Sequence, residues 1–398
     1  MGSAHADVLH HWTQLVGGHG QSFRAIVSDD ACPTMTIDGA ALPMQIRARP
    51  DTDFPNLVCE YVARSAAASA KLGTLSFPLR PAKPKKIVVV GDTGCRLKKG
   101  DPIQACTDPV AWPFSTVARS IAATQADLAI HAGDFHYREM KCPNPSVCGS
   151  VFGDNWPTWS ADFFVPAQAM LSVHPFVFVR GDHEKCSRAW LGYIRYLAPD
   201  PIRTPFMCDN YRAAYVIDFE DLQLAVLDSS TRDRDFFTWD RLRAMRAQFV
   251  DILPRLDREA WLLTHAPLWG YGHTKADATD LGTLETVQRE AFGDMTPRHM
   301  TAVISGDLHF AQVVSVKGSP TQITIGNGGV ALYTTPVGHD NGVAVGKGED
   351  GDVFGYNDFG FGLIDRGGDG VRLTLFDKNG HGVGGCLVAA GAGGCAAD

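Results

Sequence analysis

No stretch of the 398-residue chain approaches the ~20 consecutive apolar residues that span a bilayer, which argues against a membrane protein. Positive charge is in deficit, with 36 Lys and Arg against 44 Asp and Glu. The net charge of -8 argues against a general nucleic-acid binder, which carries a basic surface. Local basic clusters (Arg96 to Lys99, Arg232 to Arg246) read more simply as solvated faces. None of the ten cysteines has the Cys-x-x-Cys spacing of a zinc ribbon. The first residues, Met1 to Ala6, show neither a charged n-region nor an apolar h-region, so no export signal is visible. Gly91-Asp92-Thr93-Gly94 lacks the glycine spacing of a dinucleotide-binding turn.

The cysteines themselves are informative. Cys95 with Cys106, Cys142 with Cys148 and Cys386 with Cys395 lie close in sequence, and Cys32 with Cys59 can tie an N-terminal layer together. Disulfides are expected, and with them an oxidising location, periplasmic or secreted, reached with a leader already removed. The length suits one large domain and a smaller one. Residues 1–82 carry short alternating apolar pieces with a hairpin signal at Asp38-Gly39, and read as a small β-rich domain. Pro78, Pro81 and Pro84 form a stiff linker. Residues 83–380 alternate strand and helix patterns, with amphipathic helices expected over 115–125 and 239–253 and a strand pair over 214–228. Residues 138–165 read as a loop-rich insertion, and 381–398 as a Gly/Ala-rich tail. The fold class is α/β, with helices outside one or two sheets.

The chain is organised around strand ends. Ile87 to Val90 runs into Gly91-Asp92-Thr93-Gly94, and Leu128 to Ala132 into Gly133-Asp134-Phe135-His136-Tyr137. Pro175 to Val179 runs into Arg180-Gly181-Asp182-His183-Glu184. Trp261 to Leu263 runs into Thr264-His265-Ala266-Pro267, and Ala302 to Ile304 into Ser305-Gly306-Asp307-Leu308-His309. Open α/β sheets present ligands just past the carboxyl ends of their strands. Carboxylates and imidazoles gathered there suit hard divalent or trivalent cations, and a bridging carboxylate can hold two.

These five blocks, in this order, resemble those of the calcineurin-like metallophosphoesterases, and Tyr137 in the second block makes the chain most similar to the purple acid phosphatase branch. The resemblance covers roughly residues 87–375. It implies a four-layer α/β/β/α sandwich and hydrolysis of phosphomonoesters by a metal-bound hydroxide at a dinuclear centre, the ions drawn from iron, manganese and zinc. Carried over by position, Asp92, Tyr137 and His309 bind the first metal and Asp134 bridges both. Asp182 and His265 bind the second, with Asp307 contributing. His183 is the implied proton donor to the leaving oxygen, or a clamp on the phosphoryl oxygens. Two positions depart from the family pattern: Asp182 stands where asparagine is usual and Asp307 where histidine is usual. Extra carboxylates strengthen binding of hard ions but repel one another without a metal.

Outside the blocks' ligand positions, His136 and His273 fall on loops leaving proposed metal strands and are candidate substrate contacts, and Arg138 is a candidate for phosphate contact. The expected partner is a small-molecule phosphate ester. A phosphodiesterase or nucleotide-cleaving enzyme on the same site is one alternative. A catalytically weakened metal or phosphate binder, motivated by Asp182 and Asp307, is another.

Overall fold

A computed structural model describes residues 7–201, 207–231, 238–273, 282–283, 287–293, 295, 299–346, 348–368, 370–388 and 395–396. Short apolar runs form its central strands. Leu128–His131 lies between Lys86–Val90 and Phe176–Phe178, parallel to both, with Leu128 opposite Ile87 and Ala129 opposite Phe176. In a second sheet, Ala260–Leu263 pairs in parallel with Gln223–Val226 and with Met300–Ser305. These strands are apolar on both faces because both faces are covered, as parallel sheets require.

The alternation along each strand builds three apolar layers. Ile87, Val89, Leu128, Ile130 and Val177 meet Leu224, Val226, Trp261, Leu263 and Ile304 between the two sheets. Val88, Val90, Ala129 and Phe178 face helices Phe114–Ala122 and Val165–Leu171 through Val117, Ile121, Ala167 and Met170. On the opposite side Ala225, Leu262 and Val303 meet Met245, Phe249 and Ile252 of helix Trp239–Ile252. The result is helix, sheet, sheet, helix: the four-layer α/β/β/α sandwich.

The β-rich N-terminal part extends the first sheet. Val8–Leu15 joins Phe176–Phe178 in parallel at Gln14, and Gln21–Val27, Leu57–Ala63 and Gln45–Ala48 follow outward. It keeps an apolar cluster of its own around Phe23, Met35, Leu57 and Phe77. Its hairpin Thr34–Ile37 with Ala40–Pro43 turns at Asp38 and Gly39, both at positive φ (48° and 84°), the backbone that a tight primed turn needs. At the other edge Gly360–Gly368 and Gly370–Asp377 are followed by Gly382–Val388 and Cys395–Ala396, so the Gly/Ala-rich segment supplies strands. All ten cysteines pair: the four couples suggested by the sequence form, and Cys186–Cys208 is the fifth. Among the described residues no helix is long and apolar enough to cross a membrane.

Candidate metal centre

The five strands named above end at one edge, and the residues just beyond them converge. Asp92, Asp134 and Asp307 each sit at positive φ (55°, 59° and 70°), three of the five non-glycine residues of the described chain that do so. A left-handed residue costs roughly 1–3 kcal/mol unless its surroundings enforce it, and such residues gather at functional sites. The enforcement is visible. Asp92 N donates to Gly133 O (3.0 Å), Thr93 N to Asp134 O (3.0 Å), and Asp307 N to Asp92 Oδ2 (2.9 Å). The turns pack so closely that a Cβ on Gly133 (φ 100°) would lie 2.6 Å from His265 Nδ1, and one on Gly181 would collide with Asp134 Oδ1.

Two overlapping donor groups result. On one side Tyr137 Oη lies 2.6 Å from Asp134 Oδ2, 3.1 Å from Asp92 Oδ1 and 3.0 Å from His309 Nε2. On the other, His265 Nε2 lies 3.2 Å from Asp134 Oδ2, 3.7 Å from Asp182 Oδ1 and 3.8 Å from Asp307 Oδ1. Asp92, Asp134 and His309 offer ligand atoms all within 4.8 Å of one another, as do Asp182, His265 and Asp307. Asp134 stands between the two groups. His183 joins it: its Nε2 is 3.9 Å from Asp134 Oδ2 and its ring packs on that of Tyr137 with centroids 3.8 Å apart.

The donor set fits a cation. His265 Nδ1 is 2.7 Å from Ala132 O, which can only accept, so Nδ1 carries the proton and Nε2 turns toward three carboxylates. A lone pair aimed at carboxylates is repulsive unless something positive lies between. A proton is the smallest such charge: burial alone depresses His265, but Asp134 and the neighbouring carboxylates outweigh it and hold the imidazolium well above its ordinary range. The converse appears at Asp134, where burial is overcome by His265 and His183 and the carboxyl falls below its usual range. Asp92 goes the other way, pushed well up by burial despite His265, with the charge of Asp134 adding to the rise. Burial, Asp134 and Asp92 likewise push the Tyr137 phenol well above 10.

The remaining candidates named from the residues alone fall elsewhere. Arg138, proposed for phosphate contact, is buried with its Nε 2.5 Å from Asp162 Oδ1 and its Nη1 donating to Cys148 O (2.8 Å). Breaking that pair would leave Asp162 as an uncompensated buried charge, so the guanidinium is committed there, and Arg138 is absent from the pocket wall. His136 is held by Gly153 O (2.9 Å to Nε2) and packs on Trp159, and it too is absent from that wall, as is the buried His273. The wall consists of Arg96, Lys98, Asp101 and Tyr333 beside Asp134, Tyr137, Asp182, His183, Asp307 and His309.

Likeness to known proteins agrees with this geometry. The calcineurin-like phosphoesterase sequence profile matches residues 85–311, more than half of the chain. The chain belongs to the calcineurin-like phosphoesterases. This family places it among metal-dependent phosphoesterases. The purple acid phosphatase PPD1 of yellow lupin (Lupinus luteus) shares the fold with TM-score 0.56 and 14% identity, over 95% of this chain and 73% of that one. The structure of PhoD matches with TM-score 0.57 and 11% identity, over 100% of this chain and 93% of the other. At such identities the likeness is one of fold. No functionally curated protein matches the chain by sequence.

Several supporting residues of this calcineurin-like site do not stand out in the sequence. Glu184, wholly buried, accepts from four backbone N–H groups, those of Asp134 (3.1 Å), Phe135 (2.9 Å), His136 (3.2 Å) and Gly181 (3.0 Å), and so shapes the turn that carries Asp134. It stands inside the third block, where its signal could have been read. Asp162 accepts from Tyr137 N (3.0 Å) within a single π-helical turn, Ser160–Phe164, of the insertion. Glu139 Oε1 lies 2.8 Å from His183 Nδ1, and Arg188 Nη1 lies 3.0 Å from Asp182 Oδ2. Arg96 reaches His309 Nδ1 and covers the ring of Tyr333 at 4.8 Å. No local pattern marks these last four.

Proposed function

We propose that this chain hydrolyses small-molecule phosphate monoesters with two metal ions, in an oxidising compartment, periplasmic or extracellular. Asp92, Asp134, Tyr137 and His309 would hold one ion, and Asp134, Asp182, His265 and Asp307 the other. Two such ions would neutralise phosphoryl oxygens and lower the pKa of a bound water. Iron, manganese and zinc all suit the donor set, and a Tyr137 phenolate favours ferric iron. The single observation that carries the reading is the convergence of three left-handed aspartates with His265 and His309 at one strand edge.

The chain's own residues supply the rest. His183 presents Nε2 beside Asp134 while Nδ1 faces Glu139, so it is placed to hand a proton to the leaving oxygen. Arg96 and Lys98, the latter 3.7 Å from Asp101, stand in the wall, and with two cations offsetting the aspartates they would favour an anionic substrate. The five disulfides support the oxidising location.

The test is hydrolysis of p-nitrophenyl phosphate and of bis(p-nitrophenyl) phosphate, together with elemental analysis of the purified chain. Two metal equivalents and a faster monoester reaction are expected. A faster diester reaction would move the substrate class to diesters. The presence of Asp182 and Asp307 favours one second reading, a metal binder with weak turnover; one equivalent or none after incubation with iron, manganese and zinc, and no hydrolysis, would select it.

A further inference from the structure

We infer that Arg188 makes Asp182 act toward a cation as a neutral, single-oxygen ligand, so that the extra carboxylate at this position does not overcharge the second half of the site. The inference rests on the two-metal reading above. Its basis is the way the two oxygens of Asp182 are divided. Oδ1 faces His265 Nε2 at 3.7 Å, whereas Oδ2 is held by Arg188 Nη1 at 3.0 Å. A carboxylate with one oxygen held by a guanidinium offers a metal its other oxygen, and the pair together adds no net charge.

The arginine is built into place. It follows the short helix Asp182–Glu184 in a compact turn, with Arg188 N donating to Lys185 O (2.8 Å) and Ala189 N to His183 O (3.0 Å). The Cys186–Cys208 disulfide and a bond from Cys186 N to Asn210 Oδ1 (2.8 Å) pin that turn to the neighbouring loop. Arg188 Nε also lies 3.4 Å from Glu139 Oε1, the oxygen that faces His183. One guanidinium therefore serves both the ligand at 182 and the carboxylate behind His183. The Arg188 side chain is only 20% exposed, so screening by solvent is partial. Removing the guanidinium would take a compensating charge from Asp182 in a group that already holds Asp134 and Asp307.

The test is a calorimetric titration of manganese(II) into the chelator-treated full-length chain. In Arg188→Met the weaker of the two sites should tighten by about tenfold, while Arg188→Lys, which keeps the charge, should match the parent protein. The same Arg188→Met change made on an Asp182→Asn background should have a clearly smaller effect, because only the pairing with Glu139 is then lost. Unchanged or weakened binding in Arg188→Met would overturn the inference, as would an equal effect in the Asp182→Asn background. A parent chain that binds fewer than two equivalents and hydrolyses no monoester would overturn the two-metal reading, and this inference with it. That result is distinct from two equivalents that ignore Arg188.

Discussion

At the scale of the residue, the site holds charges that are tolerable only together. Asp134 is central: its Oδ2 meets Tyr137 and His265, and its Oδ1 accepts from His183 N (2.9 Å). Asparagine tolerates the left-handed backbone that Asp134 occupies at φ 59°, so Asp134→Asn should fold. It should nevertheless lose both metal equivalents and nearly all hydrolysis, read by elemental analysis and by turnover; full activity would remove Asp134 from the centre. The metal-free protein should show its own pH signature. His265 is held above its ordinary value near 6.5, so its stabilising contribution is complete below that pH and is lost as pH rises through the folded-state value. Asp134, held below its ordinary 3.8, has the opposite sign: its contribution is present above that pH and is lost as pH falls toward the folded-state value. Melting temperature after chelation is therefore expected to decline on the alkaline side of 6.5, and added metal should remove that decline. A flat profile from 6.5 upward would mean that His265 does not carry the compensating proton.

At the scale of the element, the helix Trp190–Tyr196 follows the turn that bears His183 and Arg188, and the carbonyls of its buried last turn need partners. The N-terminal β-rich part provides them. Arg47 donates from Nε to Arg195 O (2.9 Å) and from Nη2 to Ile194 O (2.9 Å) and Ala198 O (2.8 Å). Arg24 Nη1 donates to Tyr196 O (2.5 Å) and Nη2 to Ala198 O (2.8 Å). Glu60 balances both cations, at 3.3 Å from Arg24 Nε and 3.1 Å from Arg47 Nη1. Cations at a helix C-terminus complement its dipole, and here they also satisfy its carbonyls. Arg47→Met takes one partner from Glu60 and from each of four carbonyls, those of Ile194, Arg195, Ala198 and Asp200, and should cost about 3 kcal/mol, measured as a shift in denaturant midpoint. A change below about 0.5 kcal/mol would class this contact with ordinary surface pairs.

At the scale of the whole molecule, residues 1–82 read from the sequence as a small domain, yet their strands continue the first sheet and their arginines brace the site helix. Removing them would expose the edge of Phe176–Phe178 where Val8–Leu15 now pairs, and uncover the apolar side chains that Trp12 now covers, Phe164 among them. Bare edges and apolar faces drive aggregation. A chain beginning at residue 83 is accordingly expected to be insoluble or to unfold well below the full-length protein. A soluble truncation with unaltered melting temperature would instead establish the N-terminal part as an independent unit.

Much of the fold and of the candidate site was legible in the residues alone, and the reason is local. A buried parallel strand needs a short apolar run, and the Gly-Asp turns and the Thr-His-Ala-Pro turn that end those runs follow directly in sequence, so Asp92, Asp134, Asp182, His265, Asp307 and His309 could be named in advance. The hairpin at Asp38-Gly39 was readable for the same reason: two adjacent positive-φ positions call for those residue types. What only the tertiary structure decided is how long side chains spend their charge. Arg138 adjoins the second block, yet buried Asp162, twenty-four residues onward, takes its guanidinium. Arg188 and Glu139 bear no motif, yet they flank Asp182 and His183. Strand ends are set by backbone geometry, which neighbouring residues dictate. The partner of a flexible cation is set by which carboxylates the finished fold brings within ~4 Å, and no local pattern encodes that.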